Sequence, residues 1–415
     1  MEGNDDYKDE WKDPGIPAVE WGTGRSRPCI FDASVVNYWR DICEEEHGLH
    51  PNSPCREPAE RVTGPFGILL PGYLVLRVID VRQRCIVDLK PNLQGFQPRY
   101  YALSYVWGGY PFLTLNTANE VNLRKEGSLS QEMLPDTIAD AMTVVTEMNG
   151  NYLWVDSLCI LQDDDADKKR FISHMRTIYR QADMTIIGLC GDDAYAGLPG
   201  VRKYRPRMRQ QEMKIKGTSV LPVMMLTGWA EAYKLGETRW TTRGWTHQET
   251  LLSLRRLVFG REQVHFVCGE SIFSEDVIGP DFSPFIDTIA RLQLFDSTLS
   301  ALASIGNSSG QKRFQNLLTA FTRKQLSQRN DRLNSFMGIL EEVEKVSGQF
   351  FQGIPLSCFS NAFFGTGIFY GLGSQKSMRV AVRKRVGSAF QVCRVGHGLD
   401  GCVTSALQRT LMMSR

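Results

Sequence analysis

Long apolar runs are missing from this sequence. The longest charge-free candidate, Val62 to Leu76, is broken by Gly64, Pro65, Gly67, Pro71 and Gly72, and it falls short of the roughly 20 residues a membrane helix needs. No secretory leader is expected from "MEGNDDYKDEWKDPG", which is acidic and has no apolar core. Closely spaced cysteine pairs are absent. Ten cysteines scattered over 415 residues fit reduced thiols in a cytoplasmic protein better than a disulfide framework. A surplus of one charge is also lacking: 48 basic against 46 acidic side chains leave +2, which argues against a general nucleic-acid or membrane-surface binder. No G-x-S-x-G elbow, no Walker A loop and no G-x-G-x-x-G following a strand occurs. The glycines of "GTGIFYGLG" lack the strand–turn–helix setting. Hydrolase, nucleoside-triphosphatase, kinase and dehydrogenase readings of the usual kinds fall away.

What is present is an uneven chain. Residues 1–64 carry 14 acidic and 7 basic side chains, whereas residues 373–415 carry 8 basic and 1 acidic. The first segment reads as a partly disordered arm with one short helix near Val35–Glu46. Within it, Cys43, His47, His50 and Cys55 raise the question of zinc. They lack a C-x-x-C knuckle, and "PNSPC" is loop-like, so the pattern favours a polar linker and no metal ligands are expected.

From Tyr73 the text becomes regular. "YLVLRVID" and "RCIVDLK" read as paired strands, and "YYALSYVWGG" as a strand closing on a Gly-Gly turn. "LPDTIADAMTVVTEMNG" reads as a helix, with Pro135 in its first turn and Gly150 past its end. Tyr152–Ile160 reads as a strand, Asp163–Asp165 as a helix start followed by the stripe Ile172, Met175, Ile178 and Tyr179, and "MTIIGLC" as a strand. Strand, helix, strand, helix, strand with short links predicts an α/β fold, a parallel sheet flanked by helices. "VRKYRPRMRQQEMKIKG" reads as a solvated basic loop in preference to a nucleic-acid contact, "LPVMML" as a strand, and "QVHFVCGE" as the antiparallel partner of "RRLVF". The pattern is helical from Phe285 to Gly348. The expected divisions are 1–64 (arm), 65–270 (main domain), 271–372 (mainly helical extension) and 373–415 (a basic tail that packs poorly).

Asp156 interrupts "YLWVDSLCI", where an unpaired carboxylate costs several kcal/mol if buried. It falls late in its strand, as Ser104 and Tyr105 do in theirs, and ligands of open parallel sheets sit beyond the carboxyl ends of strands. Asp156 therefore either ties down the Ser104 loop or meets a ligand. Ser104, Tyr105, Trp107 and Gly108 stand where a loop could cradle phosphate or stack a base.

"YALSYVWGG", "LPDTIADAMTVV…YLWVDSLCILQDDD", "RGWTHQETLLSLRRLVF" and "LSQRNDRLNSFMGIL" together resemble fungal heterokaryon-incompatibility (HET) domain proteins over roughly Tyr100 to Leu340. The resemblance implies non-self recognition, programmed cell death and innate immunity in a filamentous fungus. HET domains in turn resemble TIR domains, which implies a TIR/flavodoxin-like sheet with β insertions and a helical C-terminal region. "ALSYVWG" is similar to the first TIR strand, and "RGWTHQETLLS" to the TIR segment in which a Glu follows a Trp by four residues. In NAD-cleaving TIR domains that Glu is catalytic, which implies the role for Glu249, with NAD as substrate, no bound cofactor and Arg243 beside it. Asp156 is the second catalytic candidate. Against this stand an ion pair of Glu249 with Arg243 or Arg255, and a non-enzymatic signalling module acting by self-association or through an NLR-like or HET partner. Trp245 is expected in the core and His247 exposed. Leu161 replaces an Asp usual in the family, and the tail lacks the family's Trp-rich continuation.

Overall fold

The computed structural model describes residues 26–49, 55, 69–70, 74–89, 98–203, 238–276 and 331–347, most of 205–220, and shorter stretches between 318 and 393. The acidic arm before residue 26, the expected strand at 221–226, the helical pattern over 285–317 and the tail beyond 393 lie outside the described residues. The chain divides into two compact units, Met1–Ser300 with Ala320–Ile339, and Ala301–Thr319 with Leu340–Arg415.

The first unit is built on eight strands: β1 (Arg77–Asp80), β2 (Cys85–Asp88), β3 (Tyr100–Ser104), β4 (Tyr152–Trp154), β5 (Met184–Gly188), β6 (Arg256–Phe259), β7 (Val264–Val267) and β8 (Ile272–Ser274). Their spatial order is β8-β7-β6-β5-β3-β4-β1-β2. The four central strands are parallel: Ala102 of β3 lies beside Trp154 of β4 and Thr185 of β5, and Ile186 beside Leu257 of β6. β3, β5 and β6 are buried throughout, as unbroken apolar strands between two helical layers must be. The two wings are antiparallel. β1 pairs with both β2 and β4, while β7 links β6 to β8. The sheet is therefore mixed: the turns at 81–84 and 260–263 are too short for a parallel crossover.

The helices are α1 (Ala33–Ile42), α2 (Asp136–Glu147), α3 (Asp156–Cys159), α4 (Asp165–Gln181), α5 (Arg239–Thr242), α6 (Gly244–Leu252) and α7 (Asp331–Ser347). α2 joins β3 to β4 and α4 leads from β4 to β5, so right-handed crossovers put them on opposite faces. α2 buries Ile138, Ala141, Met142, Val144 and Val145. α4 is capped by Asp164, whose side chain accepts the amides of Ala166 and Asp167, and it buries Phe171, where the periodicity pointed to Ile172, with Met175, Ile178 and Tyr179. Tyr179 packs edge-on to Trp154 at 5.6 Å.

Two expectations are corrected. The strand at Tyr152–Ile160 ends at Trp154, and Val155 then starts the helical turn α3, in which the Cys159 amide bonds the Val155 carbonyl at 2.8 Å. A buried helical turn and a buried strand both read as apolar runs. The basic connector is a solvated loop only in part: Lys203, Arg209, Lys214 and Lys216 are exposed, but three of its arginines are paired. Arg202 pairs with Asp136 and Asp140, Arg205 with Asp136, and the buried Arg207 with Glu275. A short hairpin, Met213–Ile215 with Thr218–Val220, follows.

In the second unit the described strands form two hairpins, Phe350–Phe351 with Ile354–Pro355 and Val382–Val386 with Ala389–Cys393. The second of these gives the tail a regular segment that its composition did not announce. Among the described residues no helix is long and apolar enough to cross a membrane.

Candidate active site

Ser104 is the last residue of β3, at the carboxyl end of the parallel core. Its hydroxyl donates to Oε2 of Glu249, which projects from α6, and accepts from Nε1 of Trp240 on α5 at 2.9 Å. Ser104 is 1% exposed and Glu249 5%. One residue further, the Tyr105 carbonyl accepts from Nη1 of Arg243, the N-cap of α6, and the Tyr105 hydroxyl donates to Ser157 Oγ at 2.9 Å. Asp156, half-buried at the start of α3, takes the Trp107 indole N–H at 3.0 Å and the Ser157 amide at 2.7 Å. Tyr179 donates to the Leu103 carbonyl at 3.3 Å. Gly108 has φ +79°, and a Cβ there would lie 2.3 Å from Cβ of Asp193. It lets the loop after β3 close on residue 193.

The structure thus joins Ser104 directly to Glu249 and Trp107 directly to Asp156. Tyr105 and Arg243 connect the two halves, and Gly108 shapes the loop. Burial pushes Glu249 up to about 7. The positive charge of Arg243 and the Ser104 hydrogen bond oppose that shift, and the charge of Asp156 adds to it. Burial likewise pushes Asp156 up to about 6, against Arg243, the Ser157 amide and the Trp107 N–H. The phenols of Tyr105 and Tyr179 are held well above their ordinary range by burial first, then by nearby carboxylates. Two carboxylates therefore share one guanidinium in a poorly solvated site. Neither of the expected ion pairs of Glu249 forms: among the described residues no cation lies within 4 Å of its carboxylate. Arg255 instead pairs with Asp183 at 3.3 Å and Glu44 at 3.7 Å.

Trp240, Tyr179 and Ser157 join the cluster without having been singled out from the sequence. Tyr179 was legible only as part of a packing stripe, and Trp240 had no patterned neighbours. His247, expected on the surface, is buried against Phe321 and Phe336, with ring centroids 5.8 and 6.2 Å away. Trp245 is half-buried against the core. Leu161 packs inside, and its amide is accepted by Asp167 at 2.9 Å, so an acid six residues on serves this backbone. A cavity of about 310 Å³, lined by Arg40, Arg99, Tyr101 and Tyr152 among others, lies at the amino ends of β3 and β4, the opposite end from Glu249.

Residues 100–249 match the family model described as Heterokaryon incompatibility protein (HET). The chain is also similar to Heterokaryon incompatibility protein 6, OR allele, of Neurospora crassa, with 34% identity over 103 residues. That alignment covers 22% of this chain, and the chain spans only 14% of the length of the curated relative. No solved structure matches. Both similarities support a heterokaryon-incompatibility relationship, and the matched stretch from Tyr100 to Glu249 contains the whole polar cluster: Ser104, Tyr105, Trp107, Gly108, Asp156, Arg243 and Glu249.

Proposed function

We propose that this chain acts in heterokaryon incompatibility, as a non-self recognition and cell-death effector of a filamentous fungus, and that it does so by cleaving NAD at Glu249. The observation that carries the reading is a buried carboxylate, hydrogen-bonded to Ser104 and without an ion-pair partner among the described residues, at the carboxyl end of a parallel core. The core order β4-β3-β5-β6 is second-first-third-fourth in chain order, as in flavodoxin-like sheets, whose ligands bind where the order reverses. That point lies between β3 and β5, beside Ser104. A TIR-like ancestry fits this placement.

In NAD cleavage the bond from the ribose C1′ to the nicotinamide nitrogen breaks, and its electron pair leaves with neutral nicotinamide. Water then adds to C1′ and releases a proton. Positive charge develops on the ribose in between, and a preorganised anion in a poorly solvated site stabilises it. Glu249 supplies that anion. Arg243, anchored on the Tyr105 carbonyl and partly exposed, offers a cation to a phosphate, and half-buried Trp107 offers a ring face to a base. Substrate enters along Trp107, Gly108 and Arg243, the partly exposed flank of the cluster. Only the ionised form of Glu249 works, so activity rises with pH through about 7. Asp156 holds Trp107, and its charge adds to the burial that raises the pKa of Glu249.

A second reading rests on the enclosure of Glu249: a carboxylate only 5% exposed and bonded internally also suits a non-enzymatic death-signalling module that acts by self-association. Purified protein incubated with NAD separates the two. Release of nicotinamide with ADP-ribose supports the enzyme, and its absence together with concentration-dependent oligomers supports the module.

A further inference from the structure

Away from that site, residues 43–55 and a strand end some two hundred residues later bring four Cys and His ligands to one point. Cys43 and His47 lie on the π-helical turn Cys43–His47 that extends α1. Cys55 stands eight residues beyond His47, and Cys268 directly follows β7. Their ligand atoms all lie within 4.8 Å of one another. Nδ1 of His47 is 3.4 Å from Sγ of Cys268 and 3.9 Å from Sγ of Cys55. A tetrahedral zinc, with bonds of about 2.3 Å to sulfur and about 2.0 Å to nitrogen, sets such ligands roughly 3.5–3.8 Å apart. All three cysteines are buried, and His47 is partly so. We propose that Cys43, His47, Cys55 and Cys268 bind one zinc ion in a closed structural site that fastens α1 and Cys55 to the antiparallel wing of the sheet.

The surroundings are those of a thiolate site. The Ser271 amide donates to Sγ of Cys268 at 3.3 Å, and Nε of Arg255 donates to Sγ of Cys43 at 3.4 Å. These donors offset the negative charge that three thiolates leave around a divalent ion. The other ring nitrogen of His47 meets the Ser271 hydroxyl at 3.4 Å, which orients the ring with Nδ1 toward the sulfurs. The π turn itself places residues 43 and 47 on one face, closed by the Gly48 amide on the Cys43 carbonyl at 3.0 Å; such turns are concentrated at functional sites. Four protein ligands with no open position, three of them sulfur, select zinc as a structural ion over a hard cation. His50, raised from the sequence as a ligand, lies outside the described residues. Cys268 takes the fourth place from a strand end far along the chain.

The test is metal content. Full-length protein is expressed in zinc-supplemented medium, purified in metal-free buffer and analysed by elemental mass spectrometry and zinc X-ray absorption. About one zinc per chain with three sulfurs and one nitrogen in its shell is the expected result. Cys55→Ser and Cys268→Ser should each lower the retained zinc at least about tenfold, while Cys85→Ser, outside the cluster, should leave it unchanged. Parent protein with no stoichiometric zinc, with iron in its place, or with a disulfide among Cys43, Cys55 and Cys268 under non-reducing mass spectrometry would overturn the proposal. So would undiminished zinc in both cluster variants. If the variants do not fold, the absorption spectrum of the parent decides alone.

Discussion

Two buried acids of the same residue type, Glu275 and Glu249, stand in opposite electrostatic settings. Glu275 is locked to Arg207, both of whose terminal nitrogens reach it, and also accepts the Val264 amide at 2.7 Å. Glu249 is also buried, but among the described residues it meets hydroxyls, those of Ser104 and Tyr179, and no cation within 4 Å, and burial lifts it to about 7. The first arrangement fastens the 207 segment to the sheet wing. The second keeps a buried carboxylate hydrogen-bonded but without a close counter-charge among the described residues, and such perturbed groups cluster at reactive centres. The same contrast recurs between Asp167, held by Arg77, Arg170 and the Leu161 amide, and Asp156, lifted to about 6.

The strongest way to break the comparison is the same isosteric change at both acids. Glu275→Gln strands the buried Arg207 and should destabilise the fold by about 3–5 kcal/mol in denaturant melts; a loss below about 1 kcal/mol makes the pair dispensable. Glu249→Gln should leave the fold intact while lowering NAD cleavage by on the order of a hundredfold, about 2.7 kcal/mol in the barrier.

A smaller effect sharpens the contrast through pH. The folded pKa of Glu249 lies above its unfolded value, so the folded state binds the extra proton. Stability from this group is full below about 4.5 and is lost as pH rises through about 7. Glu249→Gln should therefore stabilise the protein at pH near 8, by on the order of 1–3 kcal/mol, and have little effect near pH 5. Thermal melts of both proteins at the two pH values check this, and a variant that melts early at both contradicts it. A further effect is expected from Trp240→Phe, which removes the donor to Ser104 and trims a fully buried indole to a single ring. About 1–3 kcal/mol of stability should go with the lost bond and the cavity together, read in the same melts.

What the sequence disclosed depended on how local the information was. The parallel core was legible because β3, α2, β4, α4 and β5 each carry their own periodicity and caps, such as Asp164 at α4. The pairing of β6 with β7 followed from adjacency. Asp156 was misplaced in a strand because "SLCI" is apolar in any conformation. His247 was misjudged because its cover, Phe321 and Phe336, comes from more than seventy residues downstream. The arginines of the 202–207 segment looked solvated for the same reason, since Asp136, Asp140 and Glu275 are remote in sequence. Ser104 and Glu249 were singled out separately, by strand position and by resemblance, and only the fold sets them in contact.

The central claim is that ionised Glu249 drives nucleotide cleavage. Its most direct test is nicotinamide release from NAD by parent and Glu249→Gln proteins, each confirmed as folded, followed from about pH 6 to about pH 8. The account predicts that parent turnover climbs through about pH 7 and that the variant stays at least about a hundredfold lower at pH 8. Equal rates for the two folded proteins, or no release by the parent at any pH, contradict it.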